Sequence, residues 1–536
     1  MQTRTVLIGL DGATFSVLDG LMQNGVMPFL KDFVASGVRA DLHSVVPALT
    51  PPAWTSLMTG RSPGYHGVFD FFRKESPQSQ NFRFQTSRDV GCETIWSLAN
   101  RHGLRATVLN FPLMFPAPPL DGHVVAGGWM TWRQLRLACH PAGLYDQLKA
   151  LPGFNAREIA LDMAYEEKAV EGCQRDEYED WIVLHMRREQ QWFNLLRHLM
   201  QTDPAELTAI LFDGVDKLQH LCWRFLDPAY AHTVTLPWEQ RVRERCLDYF
   251  RQLDTLLHDI VQLAGPEATV TLASDHGFGP QIRTFFANTW LEQLGYLAWA
   301  AGKGPSASDA RVLGMGQIAR HVYLLDWKRT LVYAPLPSGN GIHIVGSSKT
   351  QPYGVSDADY EPLRSRLIEE LYNLEDPVSH EPVVSHVWRR EEVFAGPHIE
   401  LAPDLTLELQ DGGLLSILAS ETPVSPRTYP SGAHRPEGIF IARGPGLCQG
   451  VQLPALSILD VAPLLLYSLG LPIPADLEGQ VSTAALEPAA LRARPVQLAA
   501  ALGPAVVPQQ TLSGPVLDAE AEAEILRRLQ ALGYVE

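Results

Sequence analysis

Short apolar runs alternate with longer amphipathic segments along most of this chain. The runs predict strands at Thr5–Leu10, Arg39–Val46, Arg105–Asn110, Glu206–Phe212, Thr269–Ala273, Leu405–Leu409 and Gly438–Ala442. Helical patterns lie between them at Pro28–Ser36, Thr94–His102, Pro237–Ala264, Tyr360–Leu374 and Ser457–Leu469. Continuous apolar runs are typical of strands buried on both faces of a parallel sheet. The alternation therefore predicts an α/β fold with a doubly wound, mostly parallel central sheet flanked by helices.

Two irregular regions interrupt this alternation, and we interpret them as inserted cap segments. The first contains Gly- and Trp-rich turns followed by a polar helical stretch at Glu177–Leu199. Outside these two regions, a further helix is predicted at Ala519–Leu532. The predicted divisions are a first core part at 1–115, a cap insertion at 116–200, a second core part at 201–295, a second cap-side insertion at 296–350, a third core part at 351–487, and a connecting tract with a C-terminal helix at 488–536.

Composition and charge exclude some kinds of binding partner but say little about the fold. The 536 residues are 46% hydrophobic and 19% charged, as in ordinary globular proteins, and the net charge is -17. Such acidity argues against binding to a nucleic-acid polymer or an anionic membrane. The six cysteines form no CxxC pair, and no apolar run reaches membrane-spanning length. We therefore expect a cytoplasmic protein with reduced thiols.

Aspartate and histidine side chains gather at four predicted strand ends or adjoining loops. These are Asp11, the pair Asp216 and His220, the pair Asp275 and His276, and His434 in a loop before Gly438–Ala442. Each feature alone is more often a turn, a cap or a surface pair. Together they would meet at one edge of a doubly wound sheet, where the carboxylates would repel one another unless cations were bound. Mixed nitrogen and oxygen ligands suit Zn²⁺, with Mn²⁺ as the alternative.

Thr50 precedes two prolines and a second apolar run that ends at Thr59-Gly60. Because proline fits the first turn of a helix, Pro51 and Pro52 predict that a helix begins here. Thr50 would then lie where free N–H groups and the helix dipole favour an anion. Thr50 is thus either an N-cap or a nucleophile, and with six ligands it would complete the two metal sites used in phosphoryl chemistry.

This set of motifs resembles the alkaline phosphatase superfamily, specifically its type I phosphodiesterase/nucleotide pyrophosphatase branch and its predicted phosphohydrolase/phosphomutase group. Gly9-Leu-Asp11-Gly12, Thr50–Gly67, Asp216-x-x-x-His220, Ser274-Asp-His-Gly277 and Gly432-Ala-His434 occur in the order of that family. The resemblance implies that Thr50 attacks phosphorus and forms a phosphothreonine that water then hydrolyses, with helix N–H groups stabilising the charge. It also implies that Asp11, Asp275, His276 and Thr50 bind one divalent metal ion, and that Asp216, His220 and His434 bind a second.

Two departures from the family pattern bear on the substrate. The aromatic residue that stacks on a nucleotide base is replaced by Pro51, and the asparagine that contacts a phosphoryl oxygen is replaced by Phe71. Arg73 is either a substitute hydrogen-bond donor to the phosphoryl oxygen or a surface arginine, and His343 is either a substrate contact or structural.

The related sulfatases have Cys or Ser at the position of the nucleophile. A sulfatase is disfavoured because Thr50 cannot become formylglycine.

The expected function is hydrolysis of phosphate esters, diesters more than monoesters. The alternatives are a phosphomutase acting on a small metabolite, a phosphomonoesterase and a non-catalytic binding protein.

Overall fold

The computed structural model describes residues 4–127, 132–160, 168, 172–300, 321–336, 338–348 and 352–502. The predicted helix at Ala519–Leu532 lies outside the described residues. The remaining predicted helices and strands are present, with ends shifted by a few residues. Within the described residues, no helix combines the length and the hydropathy that crossing a membrane requires.

One ten-stranded sheet forms the centre of the protein. From one edge to the other its strands are Val451–Gln452, Val38–His43, Glu437–Arg443, Thr269–Ala273, Thr5–Leu10, Leu207–Phe212, Ala106–Leu109, Gly122–Val125 and Cys139–His140, and Leu456–Ser457 also pairs with Val38–His43. The pairings are parallel except for both pairings of Glu437–Arg443 and the edge pairing of Cys139–His140. The predicted α/β class with a mostly parallel sheet is confirmed.

Helices are distributed along the whole described chain. They are Phe15–Gln23, Pro28–Ala35, Thr50–Thr59, Pro63–His66, Ile95–Arg101, Leu144–Lys149, Ala156–Ile159, Tyr178–Thr202, Gly214–Leu226, Pro237–Ala264, Ala287–Gln293, Asp357–Tyr372, Arg390–Val393, Val461–Ser468 and Pro488–Ala493. Two small sheets accompany them, formed by Phe72–Lys74 with Phe82–Phe84 and by Ile473–Pro474 with Leu498–Ala499.

The parallel register aligns the ends of the three central strands. Leu10 pairs with Phe212, and Gly9 pairs with Ala273. All six residues of Thr5–Leu10 are buried, which explains why its sequence is apolar without alternation. The residues that directly follow these strands therefore emerge at the same edge of the sheet, where ligands bind in open α/β folds.

His434 lies in a strand, so the prediction of a loop at this position was wrong. The strand Val424–Arg435 pairs antiparallel with Gly277–Phe285, and His434 lies opposite Phe278. This ribbon leaves the central sheet directly after His276 and brings His434 back to the same edge. The segment carries prolines and polar residues without strand-like alternation, and its conformation comes from a partner strand far away in the sequence.

The predicted cap boundaries differ from the observed architecture. Residues 116–200 contribute Gly122–Val125 and Cys139–His140 to the central sheet, so this region is not only a cap. A second hydrophobic core, with its buried members between Phe285 and Val424, packs around a four-stranded antiparallel sheet. In order its strands are Val332–Tyr333, Gly341–Ile344, Leu405–Leu409 and Val384–Arg389. The predicted third core part, which began at residue 351, therefore includes strands that belong to this second sheet.

Candidate active site

The structure brings all seven predicted site residues together at the carboxyl edge of the central sheet. Asp11 directly follows Thr5–Leu10, and Asp275 and His276 follow Thr269–Ala273. Asp216 and His220 lie one turn apart on the helix Gly214–Leu226, which begins just after Leu207–Phe212. Thr50 is the first residue of the helix Thr50–Thr59, and His434 arrives on the antiparallel ribbon.

One group of ligand atoms consists of an aspartate oxygen and two imidazole nitrogens. Asp216 Oδ1 lies 3.4 Å from His220 Nε2 and 3.2 Å from His434 Nε2. The two nitrogens are 3.0 Å apart. These three atoms face one another closely enough to share a cation.

A second group surrounds His276 and includes the threonine hydroxyl. His276 Nε2 lies 3.2 Å from Asp275 Oδ2, 3.6 Å from Asp11 Oδ1 and 3.4 Å from Thr50 Oγ1. The His276 ring also stacks on His434, with centroids 3.7 Å apart, and its Nε2 is 4.0 Å from Asp216 Oδ1. The two groups therefore adjoin, and by distance His276 belongs to both.

The three imidazoles are oriented in the same way by backbone carbonyl groups. His220 Nδ1 lies 3.1 Å from the carbonyl oxygen of Gly432, and His434 Nδ1 lies 3.0 Å from that of Ala48. His276 Nδ1 lies 3.2 Å from the carbonyl oxygen of Gly277. A carbonyl oxygen only accepts, so each Nδ1 carries the proton and each Nε2 presents a lone pair to the site. Metal-binding histidines have this arrangement.

The three carboxyl groups are crowded and incompletely paired. Asp11 Oδ1, Asp216 Oδ1 and Asp275 Oδ2 are buried and accept no hydrogen bond among the described residues. Burial, with the neighbouring carboxyl groups of Asp275 and Asp216, raises the pKa of Asp11 well above its usual value. Burial likewise raises the pKa of Asp275, and the Asp216 carboxylate adds to that effect. Divalent cations would relieve this repulsion, so the residues present fit a metal centre.

The side chain of Thr50 does not cap its helix. Leu49 is the N-cap residue, and no side-chain capping hydrogen bond is present. Thr50 is half-buried, and its hydroxyl faces His276 rather than the helix backbone. The N-cap interpretation of Thr50 is therefore wrong.

The first turn of this helix offers fewer N–H groups than expected. Pro51 and Pro52 have none, and the N–H of Ala53 donates to the carbonyl of Leu49 at 3.0 Å. The expectation that several helix N–H groups support Thr50 is therefore wrong. The helix dipole remains as a favourable contribution.

Two supporting residues, Trp54 and Gln219, escaped the sequence prediction. Trp54 Nε1 donates a hydrogen bond to Asp11 Oδ2 at 3.2 Å, and Gln219 Nε2 donates to the carbonyl oxygen of Gly12 at 2.7 Å. Gly12 has a φ of +66° and packs so closely against Phe278 that a Cβ would lie 2.6 Å from the ring. The spacing of Trp54, one helical turn after Thr50, was the available signal for its position.

Replacing Trp54 with phenylalanine is expected to weaken metal binding by about 10-fold, because Asp11 loses the N–H that orients it. Trp54 is fully buried against Phe111, and phenylalanine keeps most of that aromatic contact. Titration with a competing chelator measures the change. Met58→Leu, a buried substitution on the same helix, serves as the control, and equal affinities in the two variants would contradict the assigned role.

Arg73, which was considered in the sequence analysis, and the buried His66 both have structural partners. Arg73 Nη1 lies 3.3 Å from Asp89 Oδ1, so its guanidinium is paired. His66 Nε2 lies 2.9 Å from Ser56 Oγ, and its Nδ1 accepts the N–H of Val68. Neither residue adjoins the two ligand groups described above.

The family model for type I phosphodiesterase / nucleotide pyrophosphatase matches residues 5–436. No curated protein sequence matches the chain.

Several solved structures have similar folds. An inactive variant of murine ectonucleotide pyrophosphatase / phosphodiesterase 5, in complex with AMP, is 14% identical; the alignment covers 88% of this chain and 96% of that chain, with a TM-score of 0.49. The human form is 13% identical, with coverage of 88% and 95% and a TM-score of 0.49. Phosphonoacetate hydrolase from Sinorhizobium meliloti 1021, in complex with phosphonoacetate, is 16% identical, with coverage of 88% and 95% and a TM-score of 0.47.

Proposed function

The chain belongs to the type I phosphodiesterase / nucleotide pyrophosphatase family of the alkaline phosphatase superfamily, and on that premise we propose that it hydrolyses phosphate diesters through a phosphothreonine at Thr50. The observation that carries the proposal is the Thr50 hydroxyl, which does not cap its helix and lies beside His276 Nε2 and close to carboxylate oxygens that accept no hydrogen bond among the described residues.

Enzymes of this superfamily use divalent metal ions, and two sets of side chains here would hold them. Asp216, His220 and His434 form one set. Asp11, Asp275 and His276 form the other, together with the Thr50 oxygen. Zn²⁺ suits these nitrogen and oxygen ligands best, and Mn²⁺ is the alternative. When bound, such ions neutralise the charge that develops on the phosphoryl oxygens and on the attacking and leaving oxygens.

The protein side chains would carry out the reaction in two displacements. In the first, Thr50 Oγ1 loses its proton, forms a bond to phosphorus and breaks the bond to one ester oxygen, which leaves as a protonated alcohol. In the second, water forms a bond to phosphorus, the bond to Oγ1 breaks, and Thr50 is regenerated. Trp54 and the three backbone carbonyls would keep Asp11 and the imidazoles in position through both steps.

A phosphomutase shares the first step but returns the phosphate from Thr50 to its substrate. A monoesterase differs only in preferring a substrate with one ester bond. Since Pro51 and Phe71 replace the residues that contact nucleotides in the family pattern, we propose a diester that is not recognised through base stacking.

The test compares three aryl substrates on the metal-loaded protein. We expect bis(4-nitrophenyl) phosphate to be hydrolysed faster than 4-nitrophenyl phosphate, and 4-nitrophenyl sulfate to be the poorest substrate. Release of 4-nitrophenol gives kcat/KM for each. A higher kcat/KM for 4-nitrophenyl phosphate than for the diester would identify a monoesterase. Transfer of the phosphate to an added alcohol, without hydrolysis by water, would identify a transferase such as a mutase.

A further inference from the structure

A small cavity, lined by none of the site residues described above, is bordered by Lys74 and His343, whose polar side-chain atoms make no hydrogen bond within the described residues. It lies between the hairpin formed by Phe72–Lys74 and Phe82–Phe84 and the strand Gly341–Ile344 of the second sheet. Lys74 and His343 line it from opposite elements and are only 8% and 4% exposed. Neither residue contributes to the metal-binding groups, so the cavity needs a separate explanation.

Lys74 is a buried cation without a direct counterion. Within the described residues, its ammonium group makes no hydrogen bond and no ion pair. Burial lowers the pKa of Lys74 to about 8, so the group is largely charged at neutral pH. A buried charge is costly unless it is paired, and such groups usually find partners inside a protein.

The carboxylate whose charge acts on Lys74, that of Asp404, is already engaged by other groups. Its Oδ1 accepts hydrogen bonds from the Tyr360 hydroxyl and the Arg390 guanidinium, and its Oδ2 accepts the N–H of Ile344 at 2.7 Å. Of the two cations that act on Asp404, only Arg390 hydrogen-bonds to it, and Arg390 also lies 3.9 Å from Glu400 Oε2. Lys74 is therefore left without a carboxylate of its own among the described residues, which favours an anion.

His343 adds a neutral donor beside the lysine. Its Nδ1 is buried with no hydrogen-bond partner among the described residues and lies 3.9 Å from Asp404 Oδ2, too far for a hydrogen bond. Burial, with the charges of Lys74 and Arg390, lowers the pKa of His343 well below its usual value. The ring is therefore neutral, and it can offer one N–H to a ligand.

Asp70 also lines the cavity but does not neutralise Lys74. Its two oxygens accept the hydroxyl of Ser338 at 2.7 and 2.8 Å, and one accepts the N–H of Phe72. No ion pair joins Asp70 to Lys74 within the described residues. The remaining walls include the aromatic side chains of Phe72 and Phe82.

We propose that this cavity binds the carboxylate group of a small organic ligand, held by the ammonium group of Lys74 and the ring N–H of His343. Arg73 also lines the cavity but pairs with Asp89, so Lys74 is the lining cation that has no ion pair within the described residues. One such cation compensates one negative charge, whereas a phosphate dianion would leave its second charge desolvated. The aromatic walls fit the carbon skeleton that carries the carboxylate.

The test measures binding of sodium propionate by saturation-transfer NMR, with sodium chloride holding the ionic strength constant. We expect saturable binding to the natural protein that weakens at least 10-fold in Lys74→Met and also weakens in His343→Phe. Lys31→Met, which removes an exposed lysine, is the matched control and should bind propionate normally. His434→Ala should also bind it normally, which separates this cavity from the metal centre.

Several outcomes would overturn the proposal. One is unchanged binding in Lys74→Met, and another is binding that is lost in His434→Ala instead. Because Lys74 has no direct partner, Lys74→Met should melt at or above the temperature of the natural protein; a much lower melting temperature would show that the lysine stabilises the fold internally. The proposal would also be contradicted if sulfate bound more tightly than propionate and Lys74→Met abolished that sulfate binding.

Discussion

Replacing Thr50 with alanine is expected to lower kcat/KM for bis(4-nitrophenyl) phosphate by at least about 10³-fold, because the oxygen that attacks phosphorus is removed. The metal-binding groups stay in place, since the remaining ligands come from other segments of the chain. Metal content should therefore remain near two ions per chain. Spectrophotometric release of 4-nitrophenol and elemental analysis of the same sample check both expectations.

Two variants on the same helix separate loss of the nucleophile from general damage. Thr50→Ser keeps a hydroxyl and should retain measurable activity. Thr55→Ala removes a buried hydroxyl that bonds only to the carbonyl of Pro51, and should keep kcat/KM within about threefold. If Thr50→Ala were as active as Thr55→Ala, Thr50 would not be the nucleophile.

Removing the divalent ions is the second change with a large expected effect. Dialysis against a chelator should lower diester hydrolysis below detection, because three crowded carboxyl groups would no longer be neutralised and no Lewis acid would stabilise the transition state. Added Zn²⁺ should restore the activity, and Mn²⁺ is the comparison. The melting temperature of the metal-free protein should also fall, since ligands that bind only the folded state stabilise it.

The two proposed ion sites can be tested separately with a pair of histidine variants. His434→Ala removes a ligand of the group around Asp216 and should lower the metal content from about two ions to about one per chain. His102→Ala removes an exposed histidine at the end of the helix Ile95–Arg101 and should keep both ions. Equal metal contents in the two variants would contradict the assignment of His434.

Much of the candidate site could be predicted because its residues follow local patterns. Asp11, Asp275 and His276 each follow a strand that is recognisable as a continuous apolar run, since strands buried on both faces need apolar side chains throughout. Asp216 and His220 have the spacing that places two residues on one face of a helix. Parallel pairing then requires the ends of these strands to meet at one edge of the sheet.

Residues whose role depends on a distant segment could not be predicted in the same way. Trp54 can hydrogen-bond to Asp11 only because the helix Thr50–Thr59 packs against it. Pro51 and Pro52 lack N–H groups by their chemistry, but only the structure shows that the N–H of Ala53 is engaged by the carbonyl of Leu49. Such contacts depend on packing geometry, which hydrophobic periodicity does not encode.

By itself, the sequence determined the fold class, the carboxylates and imidazoles at the strand ends, and the helix start at Thr50, because each follows from local periodicity or residue chemistry. Only the tertiary structure decided that His434 lies in a strand, that a second core forms around its own sheet, and that Lys74 and His343 share a cavity. These features arise when segments far apart in the chain pair and bury each other, which local residue preferences do not specify. Thr50 depends on both: its residue type is given by the sequence, whereas the fold turns its half-buried hydroxyl toward His276 instead of the helix backbone.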